Sequence, residues 1–345
     1  MNLFATKTTI FAILSGTSIS VAAQDSDSTS MRPVFAVTYT GEIQTDLKKS
    51  RQLNMLELSA ELPLSENISA NVATVSYAAT DEEPLTEDIQ GYSNLEGEKL
   101  ALAISVAGLT WHINDRHSLF AGIRRIDEDY FCSDAIALYT NSSCGIFPTI
   151  SCNYDIATYP KASLGVHYAY ERENLTVQAS LYNGTGHNRF TGRDNVFRIC
   201  PKSDGVFAIG QVEYRHNESH YYLGASMHHD DLGGTADREV RPTAWTYAEQ
   251  ALGDNLTLIA AYSHAFSSDN PCRNFFGVGA NYSLGKAELG VFSDYTRVDG
   301  VNEWATELTA NINFTEHISV QPALHIIDTD SHTKCIGMLR LGISL

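Results

Sequence analysis

No run of about 18 consecutive apolar residues occurs in this chain of 345 residues, which excludes a helical membrane span. Basic residues are scarce: 23 Lys and Arg stand against 41 Asp and Glu, a formal charge of −18. Nucleic acid is therefore excluded as a partner, because phosphate binding needs clustered Lys and Arg. The six cysteines contain no Cys-x-x-Cys pair, so no zinc or iron–sulfur pattern is present. There is no Gly-x-Ser-x-Gly elbow, phosphate loop or dinucleotide fingerprint. These absences predict no enzyme chemistry, no cofactor and no metal. The run His228-His229-Asp230-Asp231 looks like a metal cluster. Adjacent strand residues point to opposite faces, however, so the run reads as an exposed loop.

The N-terminus carries the marks of an export signal. Lys7 supplies positive charge, Ile10 to Val21 is mostly apolar, and Val21-Ala22-Ala23 is a small-residue cleavage site before Gln24. The predicted organisation is a signal peptide at 1–23, a polar linker at 24–32 and one domain at 33–345. Export fits the cysteines, since an oxidising compartment permits disulfides.

From about residue 33 the chain alternates apolar and polar residues with period 2. In 303–314 one face reads Trp304, Thr306, Leu308, Ala310, Ile312, Phe314, and the other Glu303, Ala305, Glu307, Thr309, Asn311, Asn313. An apolar stripe with aromatics at both ends fits a lipid-facing strand. It is also about twice the usual length of a soluble strand. The spacing predicts sixteen strands, near 33–44, 50–62, 66–78, 99–113, 117–125, 161–171, 174–183, 205–216, 218–228, 242–252, 255–266, 273–285, 286–298, 301–314, 316–328 and 334–345. Short connections alternate with long ones, and the long ones (79–98, 126–160, 184–204, 229–241, 267–272) all fall on one side. A transmembrane barrel with both termini in the periplasm sorts its connections in this way. The fold class is thus all-β, a transmembrane antiparallel barrel of about sixteen strands.

The longest connection and its flanks contain Ala121-Gly122-Ile123-Arg124, Glu128-Asp129-Tyr130-Phe131, Asn141-Ser142-Ser143-Cys144-Gly145-Ile146-Phe147-Pro148, Tyr159-Pro160-Lys161-Ala162, Leu181-Tyr182-Asn183-Gly184 and Ser203-Asp204-Gly205-Val206-Phe207. Over about 121–215 this region resembles the carbohydrate-selective, OprB-type porin family. The resemblance implies a sixteen-stranded outer-membrane barrel that passes monosaccharides and related small solutes. It also implies a third loop, here 126–160, folded into the lumen as a constriction. Leu345 departs from the terminal aromatic usual in outer-membrane barrels, and Pro322 is awkward within a strand because it cannot donate to the ladder.

Passive diffusion needs a polar ring that binds solute weakly. Arg124, Glu128 and Asp129 stand where the fifth strand meets the loop, either as a transverse field across the pore or as an ion pair fixing the loop. Alternation alone adds Tyr182, Gln211, Glu213, Arg215, Asp294, Glu307, His325 and Arg340 to the lumen face. Phe147 and Tyr182 are candidates for stacking on a sugar ring, or for packing the loop. Cys132, Cys144, Cys152, Cys200, Cys272 and Cys335 all fall toward the long-loop side, where disulfides would brace the loops. The pairings favoured are Cys132 within its own loop and Cys272 with Cys335. The leading function is an outer-membrane diffusion channel for small sugars or other small hydrophilic solutes, embedded in outer-membrane lipid. The alternatives are a lipid-hydrolase-like barrel enzyme and a closed structural or adhesive barrel.

Overall fold

The structure, a computed structural model, describes residues 32–192, 194–229 and 240–345. The proposed signal peptide, most of the linker and Asp230-Asp231 lie outside the described residues. Among the described residues sixteen antiparallel strands close into one barrel. In chain order they are β1 (Val34–Thr45), β2 (Ser50–Ser65), β3 (Ile68–Ala79), β4 (Leu100–Asn114), β5 (His117–Arg124), β6 (Ser163–Arg172), β7 (Leu175–Asn183) and β8 (Val206–His216). Then come β9 (Ser219–His229), β10 (Val240–Leu252), β11 (Leu256–Ala265), β12 (Cys272–Leu284), β13 (Ala287–Val298), β14 (Val301–Asn313), β15 (Ile318–Thr329) and β16 (Thr333–Ser344). Each strand pairs with its sequence neighbours, and β1 closes on β16 through the register Thr38↔Ser344 to Thr45↔Gly337.

The alternation sets which face looks outward. On β14, Trp304 and Leu308 are exposed while Glu303, Ala305 and Glu307 are buried. The same split holds on β12, where Phe276 and Val278 face out and Phe275 faces in. The exterior is thus an apolar belt on a closed sheet with no free edge, the arrangement a bilayer demands. Connections at one rim are tight turns of two to four residues, such as 115–116 and 314–317. The opposite rim carries the longer connections, above all 80–99, 125–162 and 184–205.

Pro322 costs what its missing N–H dictates. The β14–β15 ladder runs from Glu303↔Thr329 to Thr309↔Ala323 and resumes at Ile312↔Val320, with Pro322 in the gap. On its other side Pro322 still pairs with Leu339 of β16. The β3–β4 ladder is also irregular, shifting register between Ala73 and Thr74 and between Val75 and Tyr77.

Two of the long loops fold into the barrel. The third (125–162) holds two short helices, α1 (Asp134–Ala137) and α2 (Pro148–Ser151). It buries Ile126, Tyr130, Phe131, Ile136, Leu138, Tyr139, Phe147 and Ile150 in one apolar cluster with wall residues of β7 to β13. The second (80–99) inserts Tyr92 against Ala323, Ile327, Ile336 and Met338 of β15 and β16. The lumen wall is therefore not uniformly polar. Phe207, Trp245, Tyr247, Ile259, Phe275 and Phe292 face inward because the third loop covers them.

The structure holds none of the expected disulfides: all six cysteines are free thiols. Cys132 Sγ donates to carbonyls of its own loop, Asp127 O and Tyr130 O, each at 3.2 Å. Cys144 is packed inside the loop's apolar cluster. Cys272 Sγ sits 3.1 Å from Thr296 Oγ1, and Cys335 is exposed. All six nevertheless lie toward the long-loop rim: three in the third loop, Cys200 just before the helix α3 (Pro201–Asp204), and the last two at or near the starts of β12 and β16.

Candidate pore and constriction

The third loop begins as β5 ends, and two consecutive arginines diverge there. Arg124, the last residue of β5, pairs with Asp129. Asp129 Oδ2 also lies 3.5 Å from His167 Nδ1, which in turn is 2.8 Å from Ser180 Oγ. Tyr130 Oη meets the same Ser180 at 2.8 Å. Arg125 turns the other way and is 1% exposed. Its guanidinium lies 2.5 Å from Glu128, 3.5 Å from Asp127 and 3.4 Å from Glu57 on β2. Burial alone would weaken its hold on the proton, but Glu128, Asp127 and Glu57 outweigh burial and hold it above its ordinary value. Asp127 is pushed up to about 6 by burial, against the pull of Arg125. The sequence reading grouped Arg124, Glu128 and Asp129 as one set. The structure divides them, giving Asp129 to Arg124 and Glu128 to Arg125. Arg125 and Glu57 were missed, although the doubled arginine before three consecutive acids was the available signal.

Most other predicted residues face the lumen but hold loops. Glu307 accepts from the backbone N–H of Thr140 at 2.9 Å and of Asn141 at 2.9 Å, and from Thr140 Oγ1 at 3.0 Å. His325 Nε2 lies 3.0 Å from that same hydroxyl. Asp294 accepts from Ser143 Oγ at 2.5 Å and Asn141 Nδ2 at 3.1 Å. Arg340 Nε donates to Glu42 at 2.7 Å, and its Nη2 reaches Asn94 of the second loop at 2.6 Å. Glu303, placed on the polar face by alternation but not among the site candidates, accepts from the N–H groups of Ile89 and Gln90 at 2.6 and 2.9 Å. Gln211 receives the Trp245 indole N–H at 3.2 Å. Phe147 is fully buried between Phe131 and Phe275, with ring centroids 4.8 and 4.7 Å away. Tyr182 is buried too, over a site where the lack of a side chain on Gly165 is required, since a Cβ there would lie 2.4 Å from its ring. Neither aromatic presents a face to solute.

Open space remains toward the short-turn rim. A cavity of about 400 Å³ runs from the turn at Asn114–His117 up to Cys132, Ser133 and Asp134 of the third loop. Arg124, Glu128, Asp129, Gln211 and Glu213 line it. Arg215 stands beside it, donating to Glu213 at 2.7 Å, Thr176 Oγ1 at 2.8 Å and Arg172 O at 2.9 Å. A second cavity of about 150 Å³ lies between the second and third loops, against Glu57, Asn94 and Tyr159. The two cavities share one lining residue, Cys132. Phe131, beside it, has φ 60°, a left-handed conformation that costs a bulky residue about 1–3 kcal/mol. Packing against Phe147, and against Trp245 at 5.0 Å, holds it there.

The family model described as MltA-interacting protein MipA matches residues 126–327, more than half of the chain. The chain belongs to the MipA family. The match starts within the infolded loop and ends in β15, so in this MipA-family barrel it covers that loop and most of the wall that follows. Among solved structures, the high-pH structure of Pseudomonas putida OprB aligns with a TM-score of 0.77 at 15% identity, covering 91% of this chain and 94% of that one. The Salmonella typhi OmpF complex with daunomycin aligns at 0.63 and 10% identity, covering 91% and 97%. An anion-selective porin from Comamonas acidovorans aligns at 0.59 and 12% identity, covering 91% and 98%. At such identities the likeness is one of fold. The sequence match is thus to MipA, while the kinship with OprB expected from the loop rests on shared architecture. Comparison with curated proteins finds no match.

Proposed function

We propose that this MipA-family barrel is a diffusion channel in the outer membrane of a Gram-negative bacterium, exported by the segment 1–23. Small hydrophilic solutes of about monosaccharide size would cross it, the third loop setting the limit. The observation that carries the reading is the polar cavity left below the strapped loops, which shares the lining residue Cys132 with a second cavity between them. A sealed structural barrel has no use for such a cavity. The size argument favours small sugars, but the aromatic residues that would have stacked on them are engaged in packing. Planar-bilayer conductance of the purified protein, paired with liposome swelling in arabinose, glucose and a trisaccharide, tests it. Stepwise conductance with size-graded entry is expected, and a silent bilayer with no swelling would refute the channel.

The family's description supplies a second reading, interaction with the protein MltA. The observation favouring it is the densely packed loop half of the lumen, which suits a scaffold. Co-purification with MltA by a bilayer-silent protein would support that reading over the first.

A further inference from the structure

The short-turn cavity is unevenly charged. Eight carboxylates and two arginines line it, together with four histidines and no lysine. Of the two lining arginines, Arg124 is committed to Asp129, and Arg116 lies exposed in the turn at the mouth; Arg215, beside the cavity, is committed to Glu213. The carboxylates they leave include Glu249 and Asp134. Glu249 on β10 is 4% exposed, and its Oε1 has no hydrogen-bond partner. Tyr247, two residues earlier on the same face, is 1% exposed, and its phenol oxygen likewise has none. The Ser133 hydroxyl approaches both without closing a hydrogen bond. Asp134 of the loop lines the same cavity near Glu249. Tyr222 stacks on Tyr247 with ring centroids 4.0 Å apart and an interplanar angle of 11°, which fixes the phenol in place.

A buried acceptor left without a donor is unfavourable, and a buried carboxylate more so. Both residues line the cavity although the two oxygens are almost fully covered, so an entering donor reaches them by shifting the Ser133 hydroxyl beside them. An ammonium group brings three N–H donors and a positive charge, and no acceptor that must itself be satisfied. A carboxylate-lined cleft with low-dielectric walls also concentrates cations and repels anions. We propose that this vestibule is a binding subsite for amine-bearing cationic solutes, the ammonium seated between Glu249, Asp134 and the phenol of Tyr247, and that it makes the passage cation-selective. The inference rests on the channel reading and names its preferred solute class.

Glucosamine and glucose test it, because at pH 6 they differ essentially by an ammonium in place of one hydroxyl. Liposomes carrying the full chain should swell several-fold faster in glucosamine than in glucose, and slowest in gluconate. In a KCl gradient the zero-current potential should show several-fold preference for potassium over chloride. Glu249→Gln should cut both preferences at least about twofold. Asp134→Asn, on the loop and away from the strand ladder, should do the same if Glu249→Gln fails to assemble. Equal entry of glucosamine and glucose through a conducting barrel, or a chloride preference, overturns this inference and leaves the channel standing. Absence of both conductance and swelling overturns the channel, and this inference with it.

Discussion

The two ends of the lumen are built on opposite principles. Toward the long-loop rim, charge is spent on structure: Glu303, Glu307, Asp294 and Arg340 each bind loop groups, and aromatic rings fill the space between. Toward the short-turn rim, carboxylates line an open cavity and two buried oxygens lack partners. Inward-facing acids on a single barrel thus serve as anchors in one half and as an electrostatic lining in the other. Whether a loop backbone is delivered to them decides which, and strand alternation carries no such information.

The sharpest way to break this contrast is to remove the loop. Replacing residues 130–158 by a short Gly-Ser linker should raise single-channel conductance several-fold and make the loop half as open as the vestibule. An unchanged step size would show that the loop does not limit flow. Next in size, Arg125→Ala leaves Glu57, Asp127 and Glu128 buried without their cation. A loss of about 3–5 kcal/mol is expected, read as a lower urea midpoint for barrel unfolding. Phe147→Ala empties the centre of the aromatic cluster and should cost a similar 3–5 kcal/mol or so, unless the loop collapses into the gap.

A pH series sharpens the comparison. In the second loop Asp88 is pushed up to about 7, by burial first and the nearby Glu303 next, and Asp127 in the third loop is pushed up to about 6. A carboxyl whose folded value is raised above its unfolded one stabilises docking fully below about pH 4, and that contribution is lost as pH rises through the folded value. Both loops should therefore sit tighter at pH 5 than at pH 8. Limited proteolysis within 80–99 should accelerate over that range, and Asp88→Asn should flatten the response. The smallest effect belongs to the short-turn rim. Arg215→Ala removes a partly exposed pair with Glu213, so a stability change of no more than about 1 kcal/mol is expected.

The barrel was legible in the sequence because its physics is local. Period-2 stripes such as Trp304 to Ile312 announce a strand whichever partners it finds, and connection lengths sort by side without knowledge of register. The strand bounds fall within a few residues of those read from alternation. The site was legible only in direction. Alternation placed Glu307 and Arg340 inward correctly, yet Glu307 meets Thr140 across 167 residues of chain and Arg340 meets Asn94 across 246. Such pairings depend on barrel closure, which no short window contains. Wall residues such as Phe275 were obscured for a related reason. Phe275 and Phe276 are apolar on both faces of one strand, one for the loop and one for the belt, so the pattern loses contrast where a loop comes to rest.

The seam between β1 and β16 has a consequence in time rather than in space. Thr38 finds Ser344, and Val37 exchanges both backbone bonds with Leu345, so the earliest strand to leave the ribosome is completed by the latest. Until then β1 presents a bare edge on one side, an open template for any other strand it meets. A ring cannot be zipped from one end without leaving that edge waiting. The interval between synthesis and closure is therefore the chain's period of greatest exposure to mispairing, and the slowest step of its assembly should be this pairing of greatest sequence separation.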